Sequence, residues 1–343
     1  MRSLGVLVTV IFACAAAVLT WPQFFHLEHT IGIAHIVALR GATVVGFAVL
    51  AVFFLLLAAS RRIRGFAVSM AFVCVLAAIC GGVTLGLRGY GDETLPAKSD
   101  DSIRVMTWNT AGGATSAEQI ARTAVAMEAD IVALPETTEQ TGEQVALLMR
   151  DLDRPMWVHT EAYNEDVERG PDAWQTTLLI SPTLGDYSVI AASSDGTKML
   201  PTAIAMPVTG NGPIIIAAHA VAPQRQYLDQ WRHDLAWLAD QCVDGNVIMA
   251  GDFNATLDHM QRFGQNGADF GYCYDAAAQT GNGAAGTWPT SIPELIGAPI
   301  DHVMATDSWT VSGSAVITAS ASESPDGVGS DHRALVVQLD PAS

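Results

Sequence analysis

Three apolar runs, residues 4–19, 31–59 and 66–87, occupy most of the first 91 residues and restrict what this chain can fold into. Crossing a bilayer takes roughly 20 apolar residues in a helix, because lipid leaves no partner for an exposed backbone amide. The second and third runs meet that length. The first is shorter, and the Met1-Arg2-Ser3 start also fits a signal sequence. No small-residue cleavage site follows, and Trp21-Pro22-Gln23-Phe24 resembles an interfacial helix end. The expectation is therefore three transmembrane helices embedded in a lipid bilayer. Arg61, Arg62 and Arg64 fall between runs two and three, and the positive-inside rule puts that short loop in the cytoplasm. Arg2 belongs on the same side. Three crossings then carry everything after Arg88 to the extracytoplasmic face of a multi-pass cell-membrane protein. His26 and His29 fall in the outer loop and read as solvated or interfacial residues rather than metal ligands. Arg40, near the start of run two, either snorkels or faces a partner helix.

Charge divides the chain in the same place. Residues 1–91 hold six arginines and one glutamate, which leaves 11 basic and 34 acidic residues for the remainder, a net of −23. Neutralising phosphates supplies most nonspecific nucleic-acid affinity, so the acidic part is a poor general polyanion binder. A local metal site that takes one phosphate stays open to it. Residues 92–102 read as a polar tether between a membrane domain (1–91) and an outer domain (103–343). Cys14, Cys74 and Cys80 lie in the apolar runs as packing residues. Cys242 and Cys273 lie in the outer domain, where an oxidising compartment permits a disulfide; sequence leaves open whether they pair. No Cys-x-x-Cys occurs, which argues against structural zinc.

In the outer domain, residues 103–108 and 130–134 read as strands. A helix begins after Ser116, with Gln119 as the second half of a capping box, and another covers 139–152. Strand-like runs follow at 156–159, 176–180, 187–190, 202–207 and 213–219. A helix at 224–242 sets Trp231, Leu235 and Leu238 on one face. Residues 246–250 form a short apolar strand, and 300–305, 309–318 and 333–339 are the last strands. Many strands with few helices suggest two packed sheets with helices outside, an α/β (α+β) architecture.

The polar residues have a positional regularity. Asn109, Glu136, His219, Asp252, Asn254, Asp301 and the Asp331-His332 pair each follow or interrupt an apolar strand. Asp252 and Asn254 are two apart, which in extended backbone puts both side chains on one face. A carboxylate that can orient or deprotonate water then stands beside a carboxamide that donates and accepts. That combination suits attack on a phosphate ester. Each residue also has a plain structural reading: Asx turns for Asp252, Asn254 and Asn109, loop or turn acids for Glu136 and Asp301, and a hydrogen-bonded core imidazole for His219.

Taken in order, Thr107-Trp108-Asn109, Leu134-Pro135-Glu136, His219, Gly251-Asp252-Phe253-Asn254-Ala255, Ile300-Asp301-His302-Val303 and Ser330-Asp331-His332 resemble the endonuclease/exonuclease/phosphatase superfamily, which includes deoxyribonuclease I. The resemblance covers about residues 103–340. It implies a four-layer αββα sandwich of two mixed sheets and Mg²⁺-dependent phosphoester hydrolysis, with Mn²⁺ as a substitute ion. Carried over, Glu136 resembles the main metal ligand, with Asn109 and Asp331 as its helpers. Asp252 resembles the residue that activates water, and Asn254 the one that holds the phosphate. His332 resembles the histidine on the scissile phosphate, with Asp301 as its carboxylate partner. His219 matches a second histidine of the nuclease and sphingomyelinase branches. The carboxylate that supports that histidine has no clear counterpart here; Glu161, Glu165 and Glu168 are candidates. Thr287-Trp288-Pro289 resembles a bacterial motif at the cleft rim.

The expected protein is a membrane-anchored phosphoesterase acting on an envelope or lipid head-group ester, with no stable protein partner. A DNA or RNA nuclease is the second expectation, and a catalytically silent membrane-tethered binding module the third. Absence of a basic stretch interleaved with aromatics disfavours nucleic acid.

Overall fold

The computed structural model describes residues 2–91, 94–163, 172–190, 196–197, 199–210, 212–317 and 329–342. Its first part is helical: α1 (Arg2–Thr20), α2 (Ile33–Ala38), α3 (Arg40–Leu57) and α4 (Arg64–Arg88). Helices α1, α3 and α4 are long and apolar enough to cross a membrane. The second apolar run is not one helix. It breaks at Leu39 (φ −93°, ψ 50°), and Arg40, the first residue of α3, is buried against Asp258. Ala34 of the short α2 joins a hydrophobic cluster with Trp231 and Met249. His29 is likewise no solvated loop residue: its Nε2 donates to the His259 carbonyl (2.8 Å) and its ring meets Trp231 edge-on. Cys74 is buried as expected, whereas Cys14 and Cys80 lie exposed on the helix surfaces.

The remainder forms two six-stranded mixed sheets. The first sheet holds β1 (Ile103–Thr107), β2 (Ile131–Pro135), β3 (Trp157–Ala162), β4 (Gln175–Ile180), β11 (Trp309–Ile317) and β12 (Ala334–Pro341), in the order β11-β12-β1-β2-β4-β3. The second holds β5 (Tyr187–Ile190), β6 (Ala203–Pro207), β7 (Ile214–His219), β8 (Val247–Asp252), β9 (Tyr274–Asp275) and β10 (Asp301–Ala305), in the order β5-β6-β7-β8-β10-β9. Period-2 alternation builds the core. Val105, Ile131, Leu178 and Val337 of the first sheet face Ala205, Ile215, Ile248 and Val303 of the second. The odd-phase residues face outward under helices. On the first sheet Met106, Val132 and Leu134 lie beneath α5 (Ala117–Ala126) and α6 (Glu139–Asp151). On the second, Ile216 and Met249 lie beneath Trp231, Leu235 and Leu238 of α7 (Leu228–Gln241). This is the four-layer αββα sandwich.

Local differences from expectation are small. Ser116 caps α5 by accepting from the Gln119 amide (3.2 Å), but Gln119 Oε1 is buried with no hydrogen-bond partner among the described residues, so only half of a capping box forms. Helix α7 starts at Leu228 because residues 224–227 make a turn instead. Cys242 and Cys273 form a disulfide with Cα atoms 5.9 Å apart. Between β8 and β10 the chain adds α8 (Leu257–Met260) and α9 (Ala276–Gln279), short helices that periodicity does not announce.

Candidate active site

The apolar layer between the sheets turns polar at one end. In β7 the inward series Ile215, Ala217 ends on His219; in β8 the series Ile248, Ala250 ends on Asp252; in β10 the series runs from Asp301 to Val303 and Ala305. Register makes these one row, because His219 pairs with Asp252 across parallel strands and Asp252 with Asp301 across antiparallel ones. Gly251 permits the close packing. A Cβ there would run into the Ala218 carbonyl of β7, so no other residue fits.

The opposite sheet supplies the facing groups. Strand β1 leads to Asn109, whose Nδ2 donates to Glu136 Oε1 (3.1 Å) and to Asp252 Oδ2 (3.0 Å), bridging the two sheets. Its Oδ1 accepts from the Ala111 amide (2.9 Å). Glu136 is one residue out of phase with the inward series of β2. It sits in the left-handed region (φ 57°), a strained choice for a residue with a Cβ. Its side chain is 29% exposed, in contrast to the buried groups behind it. Asn254 is also left-handed (φ 47°). Its Nδ2 donates to the Ala220 carbonyl (3.0 Å), and its amide donates to Asp252 Oδ1 (2.8 Å).

His332 lies just before β12 and is held by the end of β1. Trp108 Nε1 donates to the His332 carbonyl (3.0 Å), while Ser330 Oγ accepts from the His332 amide (2.9 Å) and donates to the Asn109 carbonyl (2.6 Å). Its ring Nδ1 donates to Asp301 Oδ2 (2.8 Å), and its Nε2 lies 3.9 Å from Asp252 Oδ2. Burial alone would lower the His332 pKa. Asp301, directly hydrogen-bonded, with Asp252 and Asp331 nearby, overrides that and raises it to about 10. Asp252 moves the other way: burial first, then the neighbouring Asp301 charge, push it up to about 7 against the pull of His332 and Asn109.

His219 is fully buried. Burial, then the His332 charge, lowers its pKa to about 3, so it is neutral at physiological pH. Its Nδ1 is 3.5 Å from Thr176 Oγ1 and its Nε2 is 3.9 Å from Glu136 Oε1. Glu161 contacts His159 instead (3.3 Å); Glu165 and Glu168 lie outside the described residues. Asp331 is exposed, and its Oδ2 accepts from Trp288 Nε1 (2.8 Å), which fixes the Thr287-Trp288-Pro289 segment at the rim.

The eight expected site residues thus fall at one end of the sandwich. Hydrogen bonds join Asn109, Glu136, Asp252 and Asn254 and separately pair Asp301 with His332. His332 and His219 each approach the first group at 3.9 Å, and Asp331 lies at the rim. Sequence reasoning missed a supporting pair. His302 Nδ1 donates to Asp275 Oδ2 (2.6 Å) and its Nε2 to the Ala255 carbonyl (2.9 Å). Both ring nitrogens donate, which matches a pKa raised by Asp275 against burial. The pair holds the backbone just past Asn254. Its sequence signal was the His302 that follows Asp301; Asp275 offered none.

The acid-and-imidazole row and the bridging asparagine, set at one end of two facing mixed sheets, define a sandwich-fold hydrolase. The chain belongs to the Endonuclease/Exonuclease/phosphatase family, whose match spans residues 106–332. It is accordingly a phosphoric ester hydrolase, of a family that uses divalent metal ions. Solved structures share the fold. An endonuclease/exonuclease/phosphatase from Beutenbergia cavernae DSM 12333 is 18% identical with TM-score 0.50, covering 71% of this chain and 72% of its own. Humanized D. rerio TDP2 is 16% identical with TM-score 0.52, covering 70% and 100%. D. rerio TDP2 complexed with single strand DNA product is 17% identical with TM-score 0.50, again covering 70% and 100%. No curated protein sequence matches the chain.

Proposed function

We propose that this protein is a membrane-anchored, extracytoplasmic, Mg²⁺-dependent phosphoesterase that hydrolyses a phosphodiester or phosphomonoester by in-line attack of water. A lipid head group or other envelope phosphoester is the favoured substrate. The observation that carries this reading is the bridge at the sheet ends, in which Asn109 joins Glu136 to Asp252 while Asp301 holds His332 beside them.

Two buried atoms in the site, His219 Nε2 and Asp301 Oδ1, have no hydrogen-bond partner among the described residues. Each such group costs about 1–3 kcal/mol, and a bound phosphate with its waters would satisfy them. Oxygen donors suit Mg²⁺, which needs only one or two carboxylates. The partly exposed Glu136 carboxylate fits that demand, with Asp331 at the rim. Asn109 turns its amide nitrogen to both carboxylates, so it orients Glu136. Asp252, Asp301 and His332 also offer ligand atoms within 4.8 Å of one another. Glu136 is the preferred position for the ion, because it is the more open carboxylate and His332 Nδ1 is already taken by Asp301. Mg²⁺, when bound, neutralises phosphate charge and polarises the phosphorus centre.

The chain's own groups do the rest. Asp252, held by the Asn254 amide, orients a water and takes its proton. The cationic His332 donates to a nonbridging phosphate oxygen, where negative charge grows, and Asn254 joins it by turning its Nδ2 from its long contact with Asp252 (3.3 Å) to the phosphate. Neutral His219 donates a hydrogen bond on the leaving-group side. Residues 1–91 are the membrane domain, 92–102 the tether and 103–343 the catalytic domain. The three apolar helices and the Arg61, Arg62 and Arg64 loop support an outward-facing site. A C-terminal alkaline phosphatase fusion is therefore expected to be active, and an inactive fusion would reverse the orientation.

The main test uses the full-length protein in detergent micelles with bis-p-nitrophenyl phosphate. Turnover is expected with Mg²⁺, loss with EDTA, and recovery on Mg²⁺ addition; turnover indifferent to EDTA counts against the proposal. Among phosphatidylinositol derivatives, sphingomyelin, DNA and RNA, a lipid should be hydrolysed fastest. DNA or RNA hydrolysed fastest would favour the nuclease reading, against which the acidic charge argues.

A further inference from the structure

We infer that the first two residues of α3, Arg40 and Gly41, position both walls of the active site, so that the membrane helices belong to the catalytic apparatus and are more than a tether. The inference rests on the phosphoesterase reading above.

The first wall is the stretch from Asp252 to His259. On its catalytic side Asp252 and Asn254 hold each other, and His302 holds the Ala255 carbonyl. Four residues beyond Asn254, Asp258 is clamped by the helices. Arg40 Nε and Nη2 reach its two oxygens (2.9 and 2.7 Å). Arg88 donates through Nη1 and Nη2 (both 2.9 Å), and Gln23 Nε2, from a third residue, adds a fifth donor (2.6 Å). The Asp258 side chain is only 3% exposed. Burial would raise its pKa, but Arg88 and Arg40 hold it well below the usual carboxylate range. A buried ion pair adds little net stability over an apolar pair, while its loss is costly; its better-attested use is to fix register. Here it fixes where α8, and the catalytic loop before it, stand relative to the membrane helices.

The second wall is the segment from Gly286 to Asp301. Arg333, next to His332, pins it from inside by donating to the Gly286, Pro289 and Ile292 carbonyls (3.1, 3.1 and 2.7 Å). Trp288 in this segment holds Asp331. From outside, Gly41 lies so close to the Leu295 carbonyl that a Cβ would overlap it. Neighbouring residues of one helix thus contact the loop that carries Asn254 and the loop that carries Trp288.

The control is in the same helix: a Cβ on Gly46 would meet nothing within 4 Å. Both Gly41→Ala and Gly46→Ala improve helix propensity, so only the contact differs. The measurement is kcat and KM of the full-length protein in micelles on bis-p-nitrophenyl phosphate, a soluble ester that needs no recruitment to the bilayer. Gly41→Ala is expected to lower kcat about tenfold or more with KM little changed, since small misplacements of reacting groups are costly. Gly46→Ala should match the wild type. Arg40→Lys keeps the charge but loses the fork and should lower kcat severalfold with its thermal transition retained; it carries the test if Gly41→Ala fails to fold. Wild-type kcat in a folded Gly41→Ala protein, or in Arg40→Lys, overturns the inference. A wild-type protein without turnover would instead count against the phosphoesterase reading.

Discussion

Asp252→Asn should lower kcat by about 10²–10⁴-fold, the range for loss of a general base. The substitution keeps volume, so the buried row of His219, Asp252 and Asp301 should remain packed. What changes is the proton acceptor. Asp252 sits among donors, receiving the Asn254 amide and Asn109 Nδ2, and burial with the adjacent Asp301 raises its pKa to about 7. A carboxylate tuned near neutrality is ionised often enough to act and basic enough to take a proton from water. The effect should fall on kcat per folded molecule. The new amide NH2 must face either the Asn254 amide or Asn109 Nδ2, so a loss of about 1–3 kcal/mol of stability accompanies it, and the rate should be measured well below the melting temperature. A kcat within a few-fold of wild type would remove Asp252 from the chemistry.

His332→Gln should lower kcat by about 10²–10³-fold, typical of losing one donor to developing negative charge. Asp301 makes the residue a cation; without a hydrogen-bonded carboxylate, burial would leave the ring neutral. The glutamine retains hydrogen-bonding capacity but no charge. Because it also strands Asp301 in a buried site, some loss of stability accompanies it, and a buried carboxylate without its partner costs about 3–5 kcal/mol. The rate should therefore be measured well below the melting temperature. Equal loss of rate and of folded fraction, with unchanged kcat per folded molecule, would refute the role.

Much of this site could be read before any coordinates, because strands impose it. An alternating apolar run that ends on an acid or imidazole puts that group at the rim of the core, as with Ile215, Ala217 and His219. The order of the motifs then named the fold. Other parts were illegible for physical reasons. Glu136 was named from its motif, but its route to the cleft through a left-handed backbone is something no side-chain pattern encodes. Asp275 meets His302 across a long irregular stretch, and Arg40 meets Asp258 over a separation of 218 residues. Within run two, Arg40 resembled a snorkelling residue, since nothing local shows that a buried carboxylate awaits it.

The central claim is that separated strand ends meet to hold one divalent ion for phosphoester hydrolysis. Anomalous scattering from crystals of the full-length protein grown with Mn²⁺ tests it directly. The predicted result is a peak bonded to the Glu136 carboxylate and absent from crystals of Glu136→Gln. A peak away from Glu136, or one that persists in Glu136→Gln, would contradict it.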